Sequence, residues 1–406
     1  MTRRPDVVII GSGPAGCAAA VQLSRLAPEV AARTVMLEKR RHPRPKGCAG
    51  GLTGRCGPLL EEMGLEPTPP GAFAASRVTL SHGRHVTHLE LGTPLPVSRR
   101  WQLDEWLAAR ARECVDELRE DESALELCRD GARIEVRTAR ETYSAQVVID
   151  ASGARPVSRR SGLMSGGSKP VPVWVAEGPP GPDEPAASGE PALTFDFSEM
   201  ARGCNGYYWS FPAREQGEPW ISRGFYAEPG VPPAEGREGL RRSLRSHGVD
   251  PDSARCVAYP VRLFTPGEAL TAPGLVLAGD AAGVDPLWGE GIAPSLEYGK
   301  LAAEQVARAF ERDDFAMDDG AAFEGTALVR RLRYMTWAAS QFYVPDYQRR
   351  LAFALDSDFF LRLVFADSVG SAPGPLLWAV GGLWAFAVRT FTRPELDVER
   401  ERVVRV

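Results

Sequence analysis

The sequence predicts an α/β fold, on three observations. Residues 6–10 are an apolar, β-branched run that ends in a glycine turn. Residues 14–26 are alanine-rich with helical spacing, and 34–38 form a second apolar run. Strand, turn, helix and strand thus follow one another within about 35 residues, the length of a βαβ unit. Far along the chain the same order returns: a buried run at 275–277, a glycine-rich turn at 279–291 and a helix over 293–310.

The first turn carries the more specific signal. Gly11-Ser12-Gly13-Pro14-Ala15-Gly16 fits G-x-G-x-x-G. Gly11 lets the chain turn tightly out of the strand. Gly13 leaves room for a pyrophosphate, and Gly16 lets the helix pack close to the strand. The helix N-terminus then faces the phosphates. Glu38 ends the second strand roughly 20 residues on, where a carboxylate can accept hydrogen bonds from an unphosphorylated ribose. This pattern predicts a Rossmann-like dinucleotide site and does not separate FAD from NAD.

The second turn makes that separation. Gly279-Asp280-Ala281-Ala282-Gly283 follows the strand at 275–277, and Pro286 and Gly289-Glu290-Gly291-Ile292 lead into the next helix. Asp280 is placed to accept hydrogen bonds from the ribityl hydroxyls of FAD. The backbone N–H groups around Gly291 and Ile292 are placed to face the flavin pyrimidine, where they stabilise negative charge. An NAD enzyme needs no such element, so the cofactor expected is FAD.

Between these turns the pattern is mixed. Leu103, Trp106, Leu107, Ala111, Cys114 and Leu118 share one helical face. Residues 136–149 hold two strand-like stretches, followed by the polar turn Asp150-Ala151-Ser152-Gly153. Residues 165–190 are rich in Pro, Gly and Ser, and mark an excursion out of the first domain. Residues 193–227 and 254–264 are strand-like and aromatic. In that stretch Tyr207, Trp209 and Phe211 alternate, so they share one strand face, while Tyr208 and Ser210 share the other. From residue 321 the pattern is helical.

Composition sets outer limits. The chain has 406 residues, enough for two or three domains or one large α/β unit with insertions. It is 44% hydrophobic and 25% charged, with a formal net charge of −5. A mildly acidic chain lacks the concentrated basic face that nucleic acid requires. Its seven cysteines are scattered, which argues against a disulfide framework or a zinc site. His82, His85 and His88 lie around a hairpin turn and scatter over both strand faces, so no metal is expected. The first strand begins almost at the N-terminus, which reads as cytoplasmic. The uncharged run 376–388 is shorter than the ~20 residues that span a bilayer, and reads as a core helix or an apolar lip touching a membrane or a greasy substrate.

These residues resemble a known family. Glu38-Lys39-Arg40 with Pro43-Arg44-Pro45-Lys46-Gly47-Cys48-Ala49-Gly50-Gly51-Leu52 is similar to the signature of the geranylgeranyl reductase family. So are the 279–292 element, Tyr207-Tyr208-Trp209-Ser210-Phe211-Pro212 as Y-x-W-x-F-P, and Arg100, Leu103 and Asp104 as R-x-x-[FL]-D. The match keeps the family's order from Val7 to about Ala303. The family has a p-hydroxybenzoate hydroxylase-like flavoprotein fold. The resemblance therefore implies a discontinuous FAD-binding domain over 1–70, 96–164 and 265–314. It also implies a β-sheet substrate domain over 71–95 and 165–264, with a C-terminal helical region over 315–406.

By the same resemblance Lys46, Cys48, Ala49 and Gly50 lie near the isoalloxazine and Arg100 faces the cofactor. Lys46 and Cys48 are the catalytic candidates. Gly11, Gly13, Pro14, Ala15, Gly16, Glu38, Lys39, Ala49, Gly50, Arg100, Asp280, Gly291 and Ile292 are the cofactor candidates. Tyr207, Trp209, Phe211 and Trp288 are the substrate candidates. Ala49 stands where the family usually has glycine.

Two chemistries stay open on one fold. One reduces carbon–carbon double bonds of a prenylated small molecule by hydride transfer from reduced flavin. The other is a monooxygenase acting on an aromatic or polyprenyl compound. A halogenase carries W-x-W-x-I-P, and here Tyr207 and Phe211 hold the outer positions; a non-catalytic, protein-modifying role is a further class. No second G-x-G-x-x-G sits in a βαβ context. NAD(P)H is therefore expected to reduce the flavin in passing, or through a separate reductase. A lipophilic substrate and peripheral membrane contact complete the expected partners.

Overall fold

A computed structural model describes residues 2–181, 184, 192–317, 323–358, 361–362 and 399–406. The run 376–388 lies outside the described residues.

Two sheets organise these residues. The first has six strands in the order Thr271–Ala272, Leu275–Leu277, Val147–Asp150, Val7–Ile10, Thr34–Leu37 and Glu117–Arg119. All its pairs are parallel except the outermost, between 271–272 and 275–277. The four central strands are buried along their whole length. That burial explains why they read as unbroken apolar runs instead of alternating ones. The helices Pro14–Leu26 and Ile292–Arg312 cover this sheet and meet through small residues, Ala15 and Ala18 against Gly299.

The carboxyl ends of 7–10, 34–37, 147–150 and 275–277 all point to one edge. Ligands bind at that edge in open parallel sheets. Two turns there are held firmly. Gly11 takes a φ of +98° and donates its N–H to the Leu37 carbonyl at 2.8 Å. The buried Asp150 carboxylate accepts from the N–H and hydroxyl of Ser152 (3.1 and 2.5 Å), and from those of Ser158 (2.8 and 2.6 Å).

The second sheet has eight strands. In order they are Cys256–Val261, Val171–Gly178, Glu218–Ala227, Gly206–Glu215, Ala192–Asp196, Phe73–His82, His85–Val97 and Arg400–Arg405. Its faces differ. Tyr208 and Phe225 pack with Leu240 and Leu244 of the helix Pro233–Ser246. Tyr207, Trp209, Phe211 and Tyr226 lie on the opposite side, in a separate apolar cluster. The helices Ala327–Phe342 and Tyr347–Asp356 contribute Phe342, Leu351 and Leu355 to that cluster. The chain's end adds a strand where sequence reading expected helix: 400–405 runs parallel to 85–97. A third sheet of four short strands holds Thr2–Arg3 beside Thr142–Ala145.

Candidate functional site: a cavity with a polar and an apolar end

One continuous cavity of about 1440 Å³ opens where the two sheets face each other. A site for one small molecule usually spans ~300–1,000 Å³, so this space has room for more than one. All but one of the site residues singled out from the sequence line it; Gly16 does not. Gly16 is instead the packing glycine, because a Cβ there would collide with the Gly11 carbonyl oxygen.

The polar end is built on the first parallel sheet. Gly13, Pro14 and Ala15 open onto the cavity, and the helix they begin has no capping side chain and no acid in its first turn. Its first N–H groups are thus left for an anion. A Cβ on Gly13 would meet only Arg44, at 3.7 Å, so the space beside it is cavity.

Buried Glu38 accepts from Ser12 N (3.0 Å), Ser12 Oγ (2.9 Å) and Arg40 N (3.1 Å). A carboxylate has about four acceptor positions, which leaves one for a further donor. Arg44 bridges: its Nη1 lies 3.1 Å from Asp104 Oδ2 and its Nε 3.5 Å from Glu38 Oε1. That Nε is buried and makes no hydrogen bond among the described residues. Arg100 grips Asp104 in a bidentate pair, at 2.9 and 3.1 Å. Burial alone would raise the Asp104 carboxyl, but Arg100 and Arg44 outweigh it and hold it below the usual range. Lys46 Nζ faces Asp280 Oδ2 across the cavity at 3.8 Å. Lys39 is an exposed residue, and desolvation of its ammonium is the main cause that pulls it down.

This set fits a dinucleotide whose pyrophosphate carries two negative charges. It offers uncapped helix N–H groups, an arginine with an unused donor, and carboxylates placed for hydroxyls. Sequence reading quoted Arg44 and Asp104 inside motifs and gave them no role. Their partners lie far apart in the chain, so no local pattern announces the network.

The apolar end is built on the second sheet and the C-terminal helices. Phe195, Phe197, Tyr207, Phe211, Trp288 and Phe342 form a continuous aromatic wall. Ring centroids lie 5.1 Å apart for Phe195–Phe211, 5.9 Å for Tyr207–Trp288 and 5.9 Å for Trp288–Phe342. Such pairs add ~0.5–1.5 kcal/mol each beyond simple burial, which stiffens the wall. Three tyrosines pin the loop that carries Trp288. Tyr226 donates to the Pro286 carbonyl (2.6 Å), Tyr343 to that of Leu287 (2.9 Å) and Tyr207 to that of Trp288. The Tyr207 hydroxyl is thereby committed, and its ring is what the cavity receives. On the strand Glu218–Ala227, Ser222 Oγ donates to the Cys48 carbonyl at 2.7 Å, tying the 46–51 loop to the second sheet.

Sequence comparison places this arrangement. Residues 4–295 match the family model described as FAD binding domain. The chain belongs to that family. It is an FAD-dependent oxidoreductase of the geranylgeranyl reductase type. Digeranylgeranylglycerophospholipid reductase 2 of Methanopyrus kandleri is 28% identical over 387 residues, covering 90% of this chain and 93% of the relative. The protein of the same name from Methanothermobacter thermautotrophicus is 30% identical, covering 75% and 78%. The crystal structure of a geranylgeranyl bacteriochlorophyll reductase-like protein from Thermoplasma acidophilum superposes with a TM-score of 0.73 at 21% identity, over 98% of both chains. The last comparison establishes the shared fold. Among the described residues no group of histidine, cysteine and acidic side chains is arranged to hold a metal, and no helix is long and apolar enough to cross a membrane.

Proposed function

We propose that this protein reduces carbon–carbon double bonds in the prenyl chain of a lipophilic molecule. One observation carries the reading. A single cavity joins a polar end suited to a dinucleotide to a long wall of apolar side chains, among them Val78, Leu80, Leu193, Phe195, Phe197 and Phe342. The two relatives above are named as reductases of a digeranylgeranyl lipid, which supports the same substrate class.

In this reading Gly11, Gly13, Pro14, Ala15 and Arg44 hold the pyrophosphate. Glu38 and Lys39 hold the adenosine side, and Asp280 the ribityl chain. Ala49, Gly50, Gly291 and Ile292 border the isoalloxazine, and Arg100 keeps Asp104 in place beneath Arg44. Bound FAD supplies hydride transfer at N5, with NAD(P)H as donor, directly or through a partner reductase. The aromatic wall excludes water and presses the alkene against the ring, because an isolated alkene accepts hydride only in a dry, well-aligned site. Cys48, whose backbone is fixed by Ser222, and Lys46, opposite Asp280, are the side chains assigned to deliver a proton. A prenyl lipid reaches such a cavity from a membrane surface, so transient membrane contact belongs to the reading.

Anaerobic turnover of the reduced holoprotein with geranylgeranyl lipids tests this. Product should gain two hydrogens for each double bond lost. Failure with every prenyl substrate would sink the reading, and labelled oxygen in the product would identify a monooxygenase instead.

A further inference from the structure

The loop 285–291 contains a second feature, distinct from Cys48 and Lys46. Glu290 lies directly before Gly291 and the helix Ile292–Arg312, and it lines the cavity. Its carboxylate receives the Thr53 hydroxyl at 2.8 Å and the Ala293 backbone N–H. Thr53 also lines the cavity and follows the Gly50–Leu52 stretch of the opposite loop. Glu290 and Thr53 therefore clasp the two loops that border the flavin ring in the site proposed above.

The charges around Glu290 are arranged unusually. Two arginines stand close, and both are directed elsewhere. Arg55 Nη2 lies 2.8 Å and Arg331 Nη2 3.1 Å from Glu297 Oε2. Among the described residues no guanidinium is hydrogen-bonded to Glu290. Its other neighbours are the buried Asp285, whose N–H donates to the Glu290 carbonyl at 3.2 Å, the phenol of Tyr207 and the thiol of Cys56. A fixed charge at this place would have been paired with the nearby arginines. A carboxyl that gains and loses a proton is better served by a hydroxyl, which can act as donor or as acceptor.

We propose that the Glu290–Thr53 pair takes up a proton when the bound flavin is reduced and releases it when the flavin is reoxidised. This rests on the site reading above, which sets the flavin pyrimidine beside Gly291 and Ile292. Hydride arriving at N5 from a nicotinamide donor brings two electrons and one proton. The remaining negative charge gathers at the pyrimidine edge, next to the Glu290 carboxylate. Two like charges there repel, and a proton bound by Glu290 removes the repulsion. On reoxidation the hydride leaves N5 for one alkene carbon, a proton from Cys48 or Lys46 joins its neighbour, and the proton Glu290 gives up restores that donor, so the cycle balances. The electrostatics favour this direction. Burial pushes the Glu290 carboxyl above its ordinary range, and burial with the adjacent Glu290 charge pushes Asp285 up to about 7.

The test uses the FAD-loaded protein and reads protonation directly. A reduced-minus-oxidised infrared difference spectrum should show a protonated-carboxyl band on reduction. Glu290→Gln should remove it. Thr53→Val should keep the band but shift it, since the hydroxyl partner is gone. The flavin midpoint potential should fall with pH by ~30 mV per unit more in the native protein than in Glu290→Gln, the value of one proton in a two-electron couple. A native protein without such a band, or a band and a slope that survive in Glu290→Gln, overturns the proposal while leaving the site reading intact. A native protein that takes up no FAD overturns the site reading, and the proposal with it.

Discussion

The two ends of the cavity are built in different ways. At the polar end, glycine turns and one helix N-terminus stand on the ends of neighbouring parallel strands, and a chain of ion pairs runs from Glu38 through Arg44 in a loop to Asp104 and Arg100 on the helix Arg100–Arg112. At the apolar end, aromatic rings come from strands 192–196 and 206–215, from Phe197 just past the first of these, from a loop at 288 and from a helix ending at Phe342, and ring packs against ring. A phosphate needs donors at fixed positions, which a rigid backbone supplies. An isoprenoid chain needs only dry, shaped volume, which many side-chain combinations supply. The polar end should therefore tolerate little change. The apolar end should change what it accepts before it stops working.

The sharpest way to break this contrast is Gly13→Val. Its side chain would project into cavity rather than into packed protein, since only Arg44 lies near, at 3.7 Å. FAD binding should be lost, by at least ~100-fold, because the branched side chain occupies the pyrophosphate's place. Thermal melting of the apoprotein should be nearly unchanged. Retained yellow colour after purification would overturn the assignment of this end.

Next is Arg100→Met. It removes one of the two arginines on a fully buried carboxylate, which costs ~3–5 kcal/mol when a buried pair is broken. The sign with pH follows from Asp104. Its folded-state value is depressed, so its contribution is complete above the unfolded value near ~3.9 and is lost as pH falls through the folded value. The stability gap between native and variant should thus be wide at neutral pH and shrink progressively as pH falls below about 4. Denaturant titrations at the two pH values check this, and an equal gap at both would mean the ion pair is not the cause.

The smallest effect belongs to the apolar end. Phe342 packs on Trp288 and Phe197, with centroids 5.9 and 5.8 Å away. Phe342→Leu should leave FAD affinity alone and shift the ratio of kcat/KM for longer over shorter prenyl chains by about tenfold, the scale of a modest change in an apolar pocket. A change in FAD affinity with no change in chain preference would show that the two ends are not separable.

Much of the polar end was legible in the sequence. The backbone needs of a pyrophosphate turn are local, so Gly11, Gly13 and Gly16 announce themselves within six positions, and Glu38 follows at a fixed offset. The second turn, from Gly279 to Ile292, is legible for the same reason. The Arg44–Asp104–Arg100 network was present only as letters within motifs, because its geometry depends on the helix Arg100–Arg112 meeting a loop some sixty positions earlier. Alternation placed Tyr207, Trp209 and Phe211 on one strand face, but period alone could not say whether that face meets core or cavity.

The sequence by itself determined a βαβ unit with a G-x-G-x-x-G turn, a second glycine-rich turn before a helix, and the reductase resemblance. These depend on local backbone geometry, which a few residues dictate wherever they occur. Tertiary structure alone decided that both turns open into one cavity with an aromatic far end. It also decided that Tyr207, Tyr226 and Tyr343 spend their hydroxyls on the 286–288 carbonyls, that the last strand joins the second sheet, and that Glu290 meets Thr53. Those are contacts between segments tens to hundreds of residues apart, made by sheet pairing and side-chain packing that no local pattern encodes.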